Sequence, residues 1–139
     1  MMSTKIPIPK QKVKPAKILV IDDEPEITEV IEAFLKSSGY EVVTENTAIV
    51  AVERVLDYKP DLILLDIMMA GMDGYQICEE LKKRPDTRNI PVLFLTGKDS
   101  REDSGKSFKV GGDMFIKKPF SGDRLLEIIN VVLVSIGKR

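Results

Sequence analysis

The sequence predicts an α/β fold, a five-stranded parallel sheet with helices on both faces. Two observations carry this. Short apolar runs alternate with stretches of helical periodicity along the chain. The runs are also apolar at consecutive positions rather than at every second one. That is the pattern of strands covered on both faces, as in a parallel sheet.

The elements follow in order. Ile18-Leu19-Val20-Ile21 is the first strand. Pro25 opens a helix at a position where its missing N–H costs nothing. Ile27, Val30, Ile31, Phe34 and Leu35 form one apolar stripe, and Gly39 stops the helix. Glu41-Val42-Val43-Thr44 is a more polar strand, suited to an edge. Ala48, Ala51, Val52, Val55 and Leu56 repeat the helical spacing until Pro60 breaks it. Leu62-Ile63-Leu64-Leu65 is the third strand. Asp73-Gly74 precedes a helix that turns Ile77, Cys78 and Leu81 inward, with Cys78 read as inert core. Pro91 leads into the fourth strand, Val92-Leu93-Phe94-Leu95. A polar, weakly helical stretch spans roughly residues 100–110. Met114-Phe115-Ile116 is a short fifth strand. Leu125, Ile128, Ile129, Val132, Leu133 and Ile136 mark the last helix, while Leu126, Val131 and Val134 fall off its inward stripe and suggest a partner surface.

Composition narrows the function. The 139 residues fit one domain, with 43% hydrophobic and 31% charged residues. There is no histidine, which excludes histidine acid–base catalysis, histidine metal ligands and a phosphohistidine on this chain. One cysteine allows no internal disulfide and suits a reducing compartment. No apolar run is long enough to span a membrane or resemble a secretion signal, so a cytoplasmic location is expected. Net charge is -1 but uneven. Lys5, Lys10, Lys12, Lys14 and Lys17 stand among prolines with no acid nearby. Residues 1–16 therefore read as a lysine/proline-rich flexible tail and 17–139 as the folded domain. The tail is taken as a solubilising leader, and direct nucleic-acid binding is not expected.

In open α/β sheets the ligand site lies at the C-terminal ends of the strands. The first strand ends in Asp22-Asp23-Glu24, the third in Asp66, the fourth in Thr96-Gly97 and the fifth in Lys117-Lys118-Pro119-Phe120. With strand order 2-1-3-4-5 these four ends lie side by side. Three converging carboxylates repel one another unless a cation joins them. A hard divalent ion such as Mg²⁺ suits that donor set, and a lysine and a hydroxyl beside it suit a phosphoryl group. A carboxylate in such a site can itself act as the nucleophile.

Taken together, Ile-Asp-Asp-Glu (21–24), Leu-Leu-Asp-Ile-Met-Met-Ala-Gly-Met-Asp-Gly (64–74), Leu-Thr-Gly (95–97) and Gly-Gly-Asp-Met-Phe-Ile-Lys-Lys-Pro-Phe (111–120) resemble the receiver domain of two-component response regulators, the CheY-like superfamily with its flavodoxin-like (βα)5 fold. The resemblance covers about residues 16–137. It implies that Asp66 accepts a phosphoryl group from the phosphohistidine of a sensor histidine kinase. It implies that Asp23, Asp66 and the backbone carbonyl of Met68 ligate Mg²⁺, with Asp22 acting mainly through water. Thr96 would reach the phosphoryl group after activation, Lys118 would pair with one of its oxygens, and Phe115 would be the aromatic switch. The Lys118–Pro119 bond is expected to be cis.

In this picture the new charge at Asp66 draws Thr96 across and remodels the face formed by the fourth helix, the fifth strand and the last helix. Phe115 lacks a hydroxyl, so it is expected to lie largely inward even without phosphate. That face would bind a downstream protein target or a phosphotransfer protein, or form a dimer. The chain would catalyse only its own phosphorylation and dephosphorylation. Ala70 departs from the usual proline, which predicts a looser loop after Asp66, and Gly112 stands where alanine is common. Met68 and Lys98 occupy positions that modulate dephosphorylation in the family. An apolar Met68 cannot orient an attacking water, which predicts a long-lived phosphoryl adduct.

The reading is a stand-alone receiver. One alternative is the receiver piece of a larger regulator with a DNA-binding or enzymatic output. A Mg²⁺-dependent phosphatase working through aspartyl phosphate typically has an aspartate two residues after the nucleophile, where this chain has Met68. A degenerate receiver used purely for binding would not need the complete acidic pair with Asp66, Thr96 and Lys118.

Overall fold

The computed structural model describes residues 14–97 and 114–138. The stretch 100–110, Lys98, Gly112 and most of the N-terminal tail lie outside the described residues. Five parallel strands form one sheet: β1 (Lys17–Ile21), β2 (Glu41–Glu45), β3 (Leu62–Asp66), β4 (Val92–Thr96) and β5 (Met114–Lys117). Their order is β2-β1-β3-β4-β5, so the polar strand β2 is an edge, as its composition predicts. The described helices are α1 (Pro25–Ser37), α2 (Ala51–Tyr58), α3 (Gly74–Lys83) and α4 (Gly122–Ser135).

The consecutive apolar runs have the predicted consequence. All five residues of β3 and of β4 are buried. Alternate residues feed two cores because successive side chains on a strand point to opposite faces. Ile18, Val20, Leu64 and Leu93 pack in one cluster with Ile31 and Leu35 of α1 and Leu125 and Ile129 of α4. Leu19, Ile63, Leu65 and Phe94 pack in the other with Val55 of α2 and Ile77, Cys78 and Leu81 of α3. Each large aliphatic side chain buried this way contributes roughly 1.5–3 kcal/mol.

Helix ends follow local chemistry. Pro25 is the first residue of α1, and Gly39 terminates the chain's helical course at φ 97°. The α3 N-terminus is a capping box: Asp73 accepts the Gln76 N–H, and the Gln76 side chain accepts the Asp73 N–H. Ser121 caps α4 by accepting the Arg124 N–H.

Two residues depart from the expected stripes. Val30 is 69% exposed, on the flank of α1 that faces Pro119 and Phe120 across a shallow apolar groove. Ile136 lies one residue beyond α4 and is largely exposed. Ala48 begins a 3₁₀ turn (Ala48–Val50) that precedes α2. The α2 helix ends on Lys59 in the left-handed region at φ 54°, one residue before Pro60.

Strand register positions the site. Ile21 pairs with Leu65, so the next residues, Asp22 and Asp66, emerge side by side. Thr96 pairs with Lys117 at the end of the neighbouring ladder.

Candidate phosphoryl-acceptor and metal site

Asp22 leaves β1 fully buried. Its Oδ1 accepts the Glu24 N–H at 3.1 Å, a local turn that aims the side chain back over the sheet. Glu24, not an aspartate, occupies the α1 cap position, and its side chain makes no capping bond. Helix capping therefore does not account for the acidic pair. Asp66 ends β3 and is also buried. Asp23 is half-buried in the β1–α1 loop, and its Oδ2 accepts the Ala70 N–H at 3.1 Å. One carboxylate oxygen from each of Asp22, Asp23 and Asp66 lies within 4.8 Å of the others.

Lys118 reaches this cluster from the far edge of the sheet. Its Nζ donates to Asp22 Oδ2 at 3.1 Å and to Asp66 Oδ1 at 3.3 Å. Strand alternation leaves Lys117 exposed and turns Lys118 inward. The Lys118 N–H donates to the Thr96 carbonyl at 2.6 Å, and a cis Lys118–Pro119 bond follows. Thr96 is buried at the end of β4.

The electrostatics are strained by design of the donor set. Burial, then the neighbouring Asp22 charge, pushes the Asp66 carboxyl up to about 6, while Lys118 pulls the other way. Burial disfavours the Lys118 ammonium, but Asp66 and Asp22 outweigh that and hold its pKa above the ordinary value. Three carboxylates against one ammonium leave an excess of negative charge. Hard oxygen donors at this separation fit a divalent ion of the Mg²⁺ class.

A sequence-family model described as the response regulator receiver domain matches residues 18–130. The chain belongs to the response regulator receiver family. Solved structures agree with that. The chemotaxis protein CheY4 of Vibrio cholerae is 28% identical with a TM-score of 0.82, the match covering 86% of this chain and 99% of that one. The signal receiver domain of a histidine kinase from Syntrophus aciditrophicus is 33% identical with a TM-score of 0.81, over 89% and 94%. NtrX from Brucella abortus is 32% identical with a TM-score of 0.80, but the match covers 87% of this chain and only 27% of that one.

The receiver fold brings together Asp22, Asp23, Asp66 and Lys118, with Thr96 at the neighbouring strand end. Met68 follows Asp66 by two residues and is 59% exposed; the expectation for it concerns its backbone carbonyl, not its side chain. Phe115 is half-buried against the core beneath α2 and α3. It also lines a shallow groove with Lys117, Phe120 and Arg124. The ring is thus packed against the core on the outermost strand, with part of its surface open.

Three supporting features went unread in the sequence. Asn46 Nδ2 donates to the Asp22 carbonyl at 2.7 Å and to the buried Thr28 hydroxyl at 2.9 Å. Ile21 pairs with Glu45, so the next residues, Asp22 and Asn46, also come side by side; that register was the available signal. Gly74 lets the start of α3 close on the end of β3: its N–H donates to the Ile67 carbonyl at 2.8 Å, and a Cβ there would collide with the Asp66 carbonyl. The loop after Asp66 carries one tie to the acidic pair, at the Ala70 backbone amide, which leaves no side-chain signature.

Proposed function

We propose that this receiver accepts a phosphoryl group on Asp66 in a Mg²⁺-dependent reaction, with the phosphohistidine of a sensor histidine kinase as donor. The observation that carries the reading is the Lys118 ammonium shared between Asp22 and Asp66 beside a three-carboxylate cluster. A surface ion pair would not need a lysine partly sunk between two buried acids.

Asp22, Asp23 and Asp66, with the Met68 carbonyl, would hold Mg²⁺. The ion supplies charge neutralisation for the crowded acids and for the incoming phosphoryl oxygens. An Asp66 oxygen attacks phosphorus as the P–N bond to the kinase imidazole breaks, and the electron pair leaves with that nitrogen. Lys118 neutralises phosphoryl oxygen charge, and Thr96 donates its hydroxyl to one of them. Hydrolysis of the aspartyl phosphate returns inorganic phosphate and the free carboxylate. The chain thus acts on its own Asp66 and turns over no external substrate.

The output follows from charge. The Asp66 carboxylate, of charge about -1, becomes an acyl phosphate of about -1.5 to -2 with added acceptor oxygens, and that biases the Thr96 and Phe115 positions. The face of β5 and α4 would then engage a downstream protein, a phosphotransfer protein or a second copy. Val131 and Val134 are exposed on α4. A second reading, a receiver joined to an output domain, is favoured by the match to about a quarter of a longer chain. The genomic reading frame decides between them.

The direct test is intact mass after incubation with a small phosphodonor, with and without Mg²⁺, on wild type and Asp66→Asn. One phosphoryl adduct that needs both Mg²⁺ and Asp66 is expected. No adduct from a small donor or from a panel of histidine kinases would overturn the reading.

A further inference from the structure

Of the three clustered acids, Asp23 is the one not fully buried. Asp22 is held by the Glu24 N–H and by Lys118, and Asp66 by Lys118. Asp23 is half-buried, and among the described residues its carboxylate has one hydrogen-bond partner, the Ala70 N–H at 3.1 Å. That partner lies 47 residues along the chain, in the loop that follows Asp66.

Resting on the metal-binding reading above, we propose that the Ala70 backbone N–H is a positioning group for Asp23. It presets the carboxylate for a cation and latches the loop after Asp66 onto the acidic pair. Three physical points support this. An amide donating to an ionised carboxylate makes a charge-assisted bond, stronger than a neutral one. Fixing one oxygen removes rotamer freedom that ligation would otherwise have to freeze, and leaves the other oxygen for the ion. The amide is also well placed to hold its aim. The loop is closed behind it by the Gly74 N–H on the Ile67 carbonyl, and Gly71 turns the backbone at φ 91° immediately after it.

The group concerned is the N–H and not the methyl. Glycine at position 70 keeps it, and proline removes it. The consequence is direct: whatever grips Asp23 also tugs the loop that carries Met68 and Met69.

The test uses two readouts on the whole chain. In metal-free protein, hydrogen exchange at the Ala70 amide is expected to speed up about tenfold in Asp23→Ala, since that bond is its protection. In Mg²⁺ titration by calorimetry, Ala70→Pro is expected to bind about tenfold more weakly, and Ala70→Gly within about twofold of wild type, in the range seen when a ligand loses its supporting hydrogen bond. Thermal unfolding without Mg²⁺ checks that the proline variant is folded; if it is not, the amide exchange decides. Wild-type affinity in a folded Ala70→Pro, or Ala70 exchange indifferent to Asp23→Ala, overturns the inference. Wild type that binds no Mg²⁺ overturns the metal reading instead, and the metal-free exchange result still decides the role of Ala70.

Discussion

The Lys118 ammonium sits 3.3 Å from Asp66 Oδ1, joining the ends of β5 and β3 across 52 residues of sequence. It is the cation that opposes the burial of Asp66, and it cannot be replaced by volume alone. Lys118→Met should therefore raise the Asp66 pKa above its present value of about 6, a shift readable by carboxyl NMR titration. Adduct formation with a small phosphodonor should slow about a hundredfold, the scale of losing one group that stabilises developing charge. An unchanged rate would remove Lys118 from the chemistry.

Asp66 also predicts a pH dependence of stability. Its folded pKa of about 6 lies above the ordinary carboxyl value. Between about pH 4 and 6 the folded protein keeps a proton that the unfolded chain has lost. The contribution of this group is full below about pH 4, declines as pH rises to about 6, and stays low above. Asp66→Asn removes the charge, so in metal-free buffer it should be more stable than wild type at neutral pH by about 1 kcal/mol, after discounting for screening. The two should converge near pH 4. Urea unfolding at both pH values measures this, and an identical difference at both would refute it.

Much of this was legible in the sequence, and the exceptions share a cause. Runs such as Leu62–Leu65, short, alternating with helical stretches and bounded by Pro60 and Asp66, read as strands buried on both faces, and the polar residues at their ends mark the rim. Pairing Ile21 with Leu65 then brings Asp22 beside Asp66. Periodicity gives the direction a helical residue points but not how far its neighbours extend. That is why Val30 and Ile136, in phase with their stripes, end up exposed. Asn46 gives no sequence signal of its own because its role is to hold a main-chain carbonyl. Ala70 acts through an amide every non-proline residue has. Backbone donors and acceptors leave no trace in residue type, so the supporting bonds of the site needed coordinates.

Gly74 is where helix and site approach most closely. Alanine would favour the helix by about 1 kcal/mol on propensity alone. Its Cβ, however, would meet the Asp66 carbonyl, which is backbone and cannot rotate away. Overpacking of this kind costs about 1–3 kcal/mol, so the clash wins. Gly74→Ala should lower unfolding stability by up to about 2 kcal/mol net. Chemical denaturation measures it, and a stabilised variant would show that the Ile67–Gly74 loop yields freely.

Asn46 and Thr28 form one hydrogen-bonded unit with the Asp22 carbonyl and the Pro25 carbonyl. Asn46→Ala leaves polar groups without partners and should cost about 1–3 kcal/mol. Thr28→Val keeps the shape but removes the hydroxyl. Because the two side chains bond each other, the double variant should lose at least about 0.5 kcal/mol less than the sum of the singles. Strict additivity in a double-mutant cycle would mean Asn46 acts on Asp22 alone.

Met68 stands two residues after Asp66 with most of its side chain in solvent. An apolar thioether there can shield the aspartyl phosphate but cannot orient a water for in-line attack. The wild-type adduct should therefore persist for about minutes or longer. Met68→Asn puts an amide where it can hold that water, and decay should quicken by about tenfold or more. The exposed position makes a stability change beyond about 0.5 kcal/mol unexpected, so the effect is separable from folding. Following loss of the phosphoryl mass over time, after removal of the donor, measures both variants. Equal decay rates would show that water access at Asp66 is governed elsewhere, by the loop tied through Ala70 or by the ends of β4 and β5.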